Sequence, residues 1–399
     1  MAQGGFGAVI GESSSDQLWG LTLQALLLLG LVLGILVPLV AWAERKQTTL
    51  VAGRGGFAGT PLGGIRLADW VRPLADGLKL LGKRDKTPRP SARGIQGWVP
   101  LLIVLAPLLG FAAIPWSGHY EFGETSVSVV LADVEAGVLF IFALAGLGAL
   151  ATVWAGLAGN KRARLAALRS AGLGLSGDLA LFFAVLPMLL IFGSLSLAEM
   201  ARGQDSSFAL LGFWSALSPA SGGLVASGPT WPAWGIFLNP PAFILFLTAG
   251  SVRLGLPPFH GEHADPEIAG GTRSDYAGLS LGLFSLAARL QTLLFSALVV
   301  LIFLGGWTIP WLSQTTLVDA ISRWVGGGVA NAICLGVHLA SFFFKLFGVV
   351  CLQLMIRSSL PRPSYERAMD LCWKIVVPAA LIDLMLTAGA LHFIGGSGG

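Results

Sequence analysis

Eight apolar runs, near 18–42, 97–116, 136–158, 175–195, 233–253, 280–304, 329–356 and 374–394, restrict this chain to very few folds. A hydrocarbon layer of ~30 Å is crossed by ~20 helical residues, because in lipid each backbone N–H and C=O must find its partner within the segment. The runs are continuously apolar instead of alternating over ~10 residues, which excludes the strands of a membrane β-barrel. The predicted fold class is therefore all-α, a single polytopic membrane bundle of about eight transmembrane helices filling residues 1–399. Composition agrees: only 12% of residues are charged, about half the ~25% of a soluble domain. An ordinary soluble enzyme and a disordered chain are both excluded. Cys334, Cys351 and Cys372 form no CxxC pair, which argues against a disulfide framework, a thiolate metal site and an iron–sulfur cluster. No Lys or Arg precedes the first apolar run, so it lacks the basic start of a signal peptide and reads as a retained anchor.

The basic residues sort by side. Of 25 Lys and Arg, 21 fall in or beside the connections after the first, third, fifth and seventh runs. The other side holds Arg202 and Arg323, while Arg289 and Lys345 lie within runs. The positive-inside rule places the 21-charge side in the cytoplasm and both termini outside. An odd number of spans would scramble this sorting. The outward connection 117–135 carries Glu121, Glu124, Asp133 and Glu135 without Lys or Arg, and a second outward loop near 203–231 is rich in Gly, Ser and Pro and reads as irregular.

The cytoplasmic connection 43–96 contains an amphipathic helix over 65–83. Leu67, Trp70, Val71, Leu74, Leu78 and Leu81 share one face, and Asp69, Arg72, Asp76, Lys79 and Lys83 the other. Such a helix lies in the membrane interface with its basic residues at the lipid phosphates, or else simply seals the bundle. The Gly-rich stretch Gly53-Arg54-Gly55-Gly56 follows no strand and sits in no βαβ unit, so it is not read as a nucleotide loop. In 257–278, His260, Glu262, His263, Asp265, Glu267 and Asp275 gather. Without helical i,i+4 pairing or cysteine they suit a docking or proton-handling surface better than a metal site.

Ionisable groups at membrane depth are expensive and mark functional positions by default. Asp178, Arg289, Lys345 and Asp383 qualify. Either they form buried pairs, such as Lys345 with Asp383, that hold helices together, or they line a polar path from the cytoplasmic face.

A set of stretches carries a resemblance. In order they are Ala43-Glu44-Arg45-Lys46, Leu74-Ala75-Asp76-Gly77-Leu78-Lys79, Ala132-Asp133, Ala167-Leu168-Arg169-Ser170, Pro258-Phe259, Asp275-Tyr276-Ala277-Gly278, Lys345 with Arg357, Leu360-Pro361-Arg362-Pro363-Ser364-Tyr365, and Trp373-Lys374. Over nearly its whole length the chain resembles the H subunit of the proton-translocating NADH:quinone oxidoreductases, respiratory complex I. The resemblance implies a bacterial inner-membrane protein that anchors the hydrophilic arm, forms much of the quinone chamber and helps couple quinone reduction to proton translocation. Quinone is then the substrate, no cofactor is covalently held, and FMN and iron–sulfur clusters belong to partner subunits; lipid is the remaining partner and nucleic acid is not one. Relatives of this subunit also serve membrane-bound hydrogenases, which is the alternative assignment.

By matched position the resemblance implies that Glu44, Arg45, Lys46, Arg54, Asp76, Lys79, Arg357, Arg362 and Tyr365 line the quinone chamber or the arm interface. It implies further that Asp178, His260, Glu262, His263, Glu267, Asp275, Lys345 and Asp383 serve the proton path. The departures are specific. The family's Pro-Phe-Asp-Leu-Pro-Glu reads Pro258-Phe259-His260-Gly261-Glu262-His263, a usual glutamate becomes Arg253, a usual Glu-Tyr pair becomes Ala288-Arg289, and a usual asparagine becomes Asp383. An arginine stays protonated and cannot relay protons. A secondary transporter with its site at Lys345, Asp383 and Arg289 is the reading from a different class; it calls for two similar halves with broken helices, of which only Asn239-Pro240-Pro241 offers a break. An intramembrane hydrolase lacks GxSxG, HExxH and paired aspartates.

Overall fold

The computed structural model describes residues 14–51, 53, 68–83, 93–122, 125–209, 230–255, 259, 271–273, 275–325, 327–359, 361 and 363–396. Helices occupy all eight apolar runs. They are α1 (Ser14–Leu31), continued through a π-helical turn at Val32–Leu36 into α2 (Val37–Val51), then α3 (Ala68–Leu81) and α4 (Arg93–Ala112). A hairpin of β1 (His119–Phe122) and β2 (Thr125–Ser128) leads to α5 (Gly137–Leu157), α6 (Lys161–Phe192) and the short α7 (Leu197–Gly203). Strands β3 (Ser207–Ala209) and β4 (Thr230–Pro232) pair antiparallel before α8 (Gly235–Leu238) and α9 (Pro240–Arg253). The chain ends with α10 (Gly278–Phe303), α11 (Gln314–Val325), α12 (Gly327–Ser359), α13 (Tyr365–Asp370), a second π turn at Leu371–Val376, and α14 (Val377–Gly396). Among the described residues six helical stretches are long and apolar enough to cross a membrane. The other two apolar runs are shorter helices, α9 and the Gly97–Ala112 part of α4.

Both π turns have a visible cause. Pro38 and Pro378 each sit two residues past the turn. Proline has no N–H to give the carbonyl four residues back and its ring crowds that carbonyl, so the preceding turn widens.

The packing is organised around α10. Seventy-eight per cent of its apolar window is buried, and nearly every residue from Leu290 to Phe303 faces protein. A helix apolar all round needs an apolar surround, and for α10 that surround is mainly protein. It packs on α4, α2 and α12, while α6 packs on α5, α9 and α14. Close approach of α9 to α10 depends on Gly250, where a Cβ would overlap the Phe295 ring.

The run expected as one helix over 233–253 is divided. Asn239 ends α8, and its side chain accepts a hydrogen bond from the Ala242 N–H to start α9, with Pro240 and Pro241 in the first turn. Proline is tolerated there because the first-turn N–H groups have no helical partner. The loop expected to be irregular near 203–231 opens with the β3–β4 pairing, and 210–229 lie outside the described residues.

The two ends of the bundle differ. One, here the basic end, carries the connections richest in Lys and Arg. The opposite end is stitched by Gln204, which is 1% exposed. Its Nε2 donates to the Met200 and Leu301 carbonyls, and its Oε1 accepts from the Gly235 and Gly305 N–H groups. Gln314 joins this end to β1 through the His119 carbonyl at 2.7 Å. Burial pushes the Tyr120 phenol up, so it remains protonated and able to donate to His338 Nδ1, with which it pairs.

Candidate functional site

At the basic end Glu44, Arg45, Lys46 and Gln47 lie in the last turns of α2. Successive helical residues lie about 100° apart around the axis, so neighbours reach different elements. Glu44 receives Arg289 Nε from α10 at 3.3 Å and faces Arg357 Nη1 from α12 at 3.5 Å. Arg45 reaches the other way, its Nη2 2.6 Å from Asp76 of α3. Gln47 Nε2 donates to Ser358 Oγ at 3.3 Å. The helix end thus ties together α3, α10 and α12. These side chains remain a quarter to a half exposed, where a single ion pair contributes about 0–1 kcal/mol; here one carboxylate shared by two guanidiniums makes a network.

Lys46 and Lys79 are exposed beside this cluster, as is Asp76. Leu50, Val51 and Leu78 are also exposed, each above 60%, so charged and apolar groups alternate along the same edge. Leu80 packs toward Gly282 of α10, which holds α3 flat against the bundle. Arg54 and Arg362 lie outside the described residues. Tyr365 stands apart from this cluster. It opens α13, its hydroxyl approaches Gly172, and Arg169 lies 5.9 Å over its ring.

The residues expected along a polar path separate into distinct pairings. Asp178 of α6 accepts a hydrogen bond from Arg253 Nε at the end of α9, and Arg253 Nη2 also donates to the Ala145 carbonyl at 2.6 Å. Gly177 makes this possible, since a Cβ there would come within 2.9 Å of the Arg253 Cα. Asp275 accepts from the N–H and Nδ2 of Asn160 at 2.7 and 3.0 Å, and Asn160 in turn caps α6. Next to it Tyr276 donates to the Ala155 carbonyl at 3.1 Å, and burial first, then Asp275, pushes its phenol up to about 12.

The pair expected between Lys345 and Asp383 does not form. Lys345 Nζ donates to the carbonyls of Leu304 and Gly306 at 2.7 and 3.1 Å and to that of Thr308, and lies 4.2 Å from the centroid of the Trp234 ring. These carbonyls follow the end of α10, where the helix dipole is negative and the last carbonyls lack helical donors. An ammonium with three donors suits them better than one carboxylate. Gly305, at φ +72, lets the corner close, and a Cβ there would come within 2.5 Å of Thr308 Oγ1 and Trp234 Nε1. Asp383, 8% exposed, instead accepts from Asn239 Nδ2 at 3.0 Å. Thr387 shares that donor at 3.1 Å.

His260, Glu262, His263 and Glu267 lie outside the described residues. Among the described residues no three His, Cys, Asp or Glu converge as a metal site would. The partners Arg289 and Arg253 were visible in the sequence only as charges within or next to apolar runs. Their registers against Glu44 and Asp178 depend on helix packing, which no local pattern encodes.

The sequence as a whole has known relatives. The model of the family described as NADH dehydrogenase matches residues 23–388. The H subunit of the NADH-quinone oxidoreductase of Bdellovibrio bacteriovorus is 29% identical over 375 residues, covering 89% of this chain and 92% of that protein. The protein of the same name from Polaromonas naphthalenivorans is 30% identical over 387 residues, covering 96% and 94%. With a match that runs through every one of the eight apolar runs and through both ends of the bundle, the chain belongs to the NADH dehydrogenase family.

Proposed function

We propose that the chain is the membrane subunit of a complex I-type quinone oxidoreductase, seated in a bacterial inner membrane, that anchors the hydrophilic arm and forms the quinone chamber at its basic end. The observation that carries the reading is the Glu44 network: the end of one spanning helix joins the amphipathic α3 to α10 and α12, with exposed Leu50, Val51 and Leu78 along the same edge. An amphiphilic substrate needs this combination, an apolar approach from the acyl region beside charged groups that hold a polar head. Arg45, Lys46, Asp76, Lys79 and Arg357 share that surface with the arm, and the resemblance alone assigns Arg54, Arg362 and Tyr365 to the chamber or the arm interface as well. The basic end faces the cytoplasm and both termini lie outside, as the segregation of 21 of 25 basic residues favours. The electrons arrive through FMN and iron–sulfur clusters of partner subunits, since this chain's contribution is binding, orientation and charge coupling.

The proton-coupling role assigned by resemblance to Asp178, Asp275, Asp383 and the 260–267 loop residues is kept as part of this proposal, with Asp178 paired to Arg253 as its most constrained member, whereas Lys345, held on three carbonyls, is read as a structural cation. The test is photolabelling of the assembled complex with an azidoquinone. Labelled peptides within 44–80, and a Glu44→Gln complex that assembles with quinone KM raised about tenfold, the equivalent of ~1.4 kcal/mol, are expected. Labelling confined to other subunits, with unchanged KM, overturns it.

A further inference from the structure

A groove of about 670 Å³ runs between α6 and α14 at the end of the bundle opposite the basic one, walled chiefly by Leu186, Leu189, Leu190, Leu195, Leu384 and Met385. Leu190, Leu195 and Met385 are exposed, so the groove opens on the membrane-facing side. Gly193, at φ +63, caps α6 at its upper edge, and a Cβ there would meet open space. Leu186 lies seven residues below that cap, ~10 Å at 1.5 Å per residue. The groove therefore stays within the ~15 Å of one leaflet. Its size falls among the ~300–1,000 Å³ of pockets that hold drug-sized ligands.

We propose that this groove seats an acyl chain of a phospholipid whose headgroup carries a primary ammonium, with the ammonium held at the Glu199 carboxylate. The wall selects a flexible chain. Spanning helices that pack on one another do so through small residues that let backbones approach, whereas six of the nine residues here are Leu or Met, which conform to an irregular apolar guest. The rim selects the head. Ser194, on the groove wall, donates through Oγ to Glu199 Oε2 and accepts from the Ser196 N–H, so the carboxylate is fixed beside the groove while it stays exposed. The last carbonyls of α6 add the negative pole of a helix dipole at the same place. The Val138 N–H donates to the Leu195 carbonyl at 3.2 Å, which brings the exposed Glu135 to this rim as well. The opposing charge is accounted for. Of Lys and Arg this end holds Arg202 and Arg323, against nine Asp and Glu within 12–16, 121–135 and 199–205 and at 319, and 210–229, outside the described residues, contain no ionisable group. Arg202 faces β1 closely enough that burial first and Arg202 second hold the His119 imidazole below its ordinary value. A primary ammonium donates charge-assisted hydrogen bonds to a carboxylate; an anionic headgroup meets repulsion. This inference is independent of the quinone chamber, which lies at the other end of the bundle.

The test uses the assembled complex in nanodiscs of phosphatidylcholine, doped with a trace of phosphatidylethanolamine that bears a diazirine on one acyl chain. Photolysis and peptide mapping should find the label within 186–195 and 384–388. Matched phosphatidylglycerol and phosphatidylcholine probes, which lack the ammonium or its N–H donors, should label these peptides about threefold and about twofold less, the scale of an exposed ion pair. Glu199→Gln keeps an acceptor for Ser194 and should bring the three probes to equal labelling, and Ala388→Trp, which fills the groove, should abolish the label from each. Label absent from both peptides, label from the ethanolamine probe no stronger than from either of the others, or a neighbouring subunit's helix crosslinked into the groove overturns the proposal. The comparison of headgroups needs no variant, so it decides even where a substitution prevents assembly.

Discussion

Replacing Lys345 by Met distinguishes a structural cation from a proton relay. In the structure the ammonium satisfies three carbonyls beyond the end of α10 and rests on the Trp234 face. Each such hydrogen bond to a charged donor contributes ~1.5–3 kcal/mol, and a buried acceptor left without its partner costs ~1–3 kcal/mol. Against this stands the desolvation of the ammonium, several kcal/mol, which Met does not incur. The net loss expected is ~3–5 kcal/mol, the usual result of removing one member of a buried charged arrangement. At about 2 °C per kcal/mol for a chain of this size, the melting temperature of the assembled protein should fall by roughly 5–10 °C. Scanning fluorimetry of the purified complex measures this. Lys345→Arg should recover only part of it, because a planar guanidinium cannot direct its donors at three carbonyls grouped around one point. An unchanged melting temperature in Lys345→Met, accompanied by loss of proton pumping at normal quinone turnover, would refute this account and make Lys345 a relay.

Other substitutions probe single contacts. Gly250→Ala places a methyl against the Phe295 ring, well inside van der Waals contact; a loss of ~3 kcal/mol or more is expected, restored largely by Phe295→Leu in the same background, as denaturation in mixed micelles would measure. Asn239→Ala removes the α9 cap and the donor to Asp383 and Thr387, and should cost ~1–2 kcal/mol; loss of stability below about 0.5 kcal/mol would show that the break between α8 and α9 needs no cap. Tyr276 has its phenol raised to about 12 in the folded chain, above the ordinary value of about 10. Folding favours the protonated form, so its contribution is complete below pH ~10 and disappears as pH rises toward ~12. Tyrosinate absorbance should show a late-titrating phenol near 12 that is missing in Tyr276→Phe, while Tyr120, also raised by burial, persists in both.

Much of the candidate site was legible in the amino-acid order. Glu44-Arg45 stood out because charges follow an apolar run directly, and Asp76 because α3 has an apolar and a polar face. Their contact needed no more than two helices ending at the same membrane edge. Asp178 was legible as a charge at depth, yet its partner was not. Arg253 read as a departure that broke a carboxylate series, whereas the structure brings it to Asp178 across the close α6–α9 contact at Gly177. Lys345 and Asp383 were paired by depth alone. Depth along a helix axis says nothing about which way around the axis a side chain points, and the two face different neighbours.

The sequence by itself determined that this chain is a helical membrane bundle, where its apolar helices run, and which of its ends is basic. Hydrocarbon imposes those features residue by residue, through the transfer cost of each side chain and the need of each peptide group for a partner within its own helix. Only the tertiary structure decided which charge meets which: Glu44 with two arginines, Asp178 with Arg253, Lys345 with the carbonyls at the end of α10. Those choices depend on the rotation and closeness of packed helices, and these follow from small residues and ring contacts distributed over distant parts of the chain.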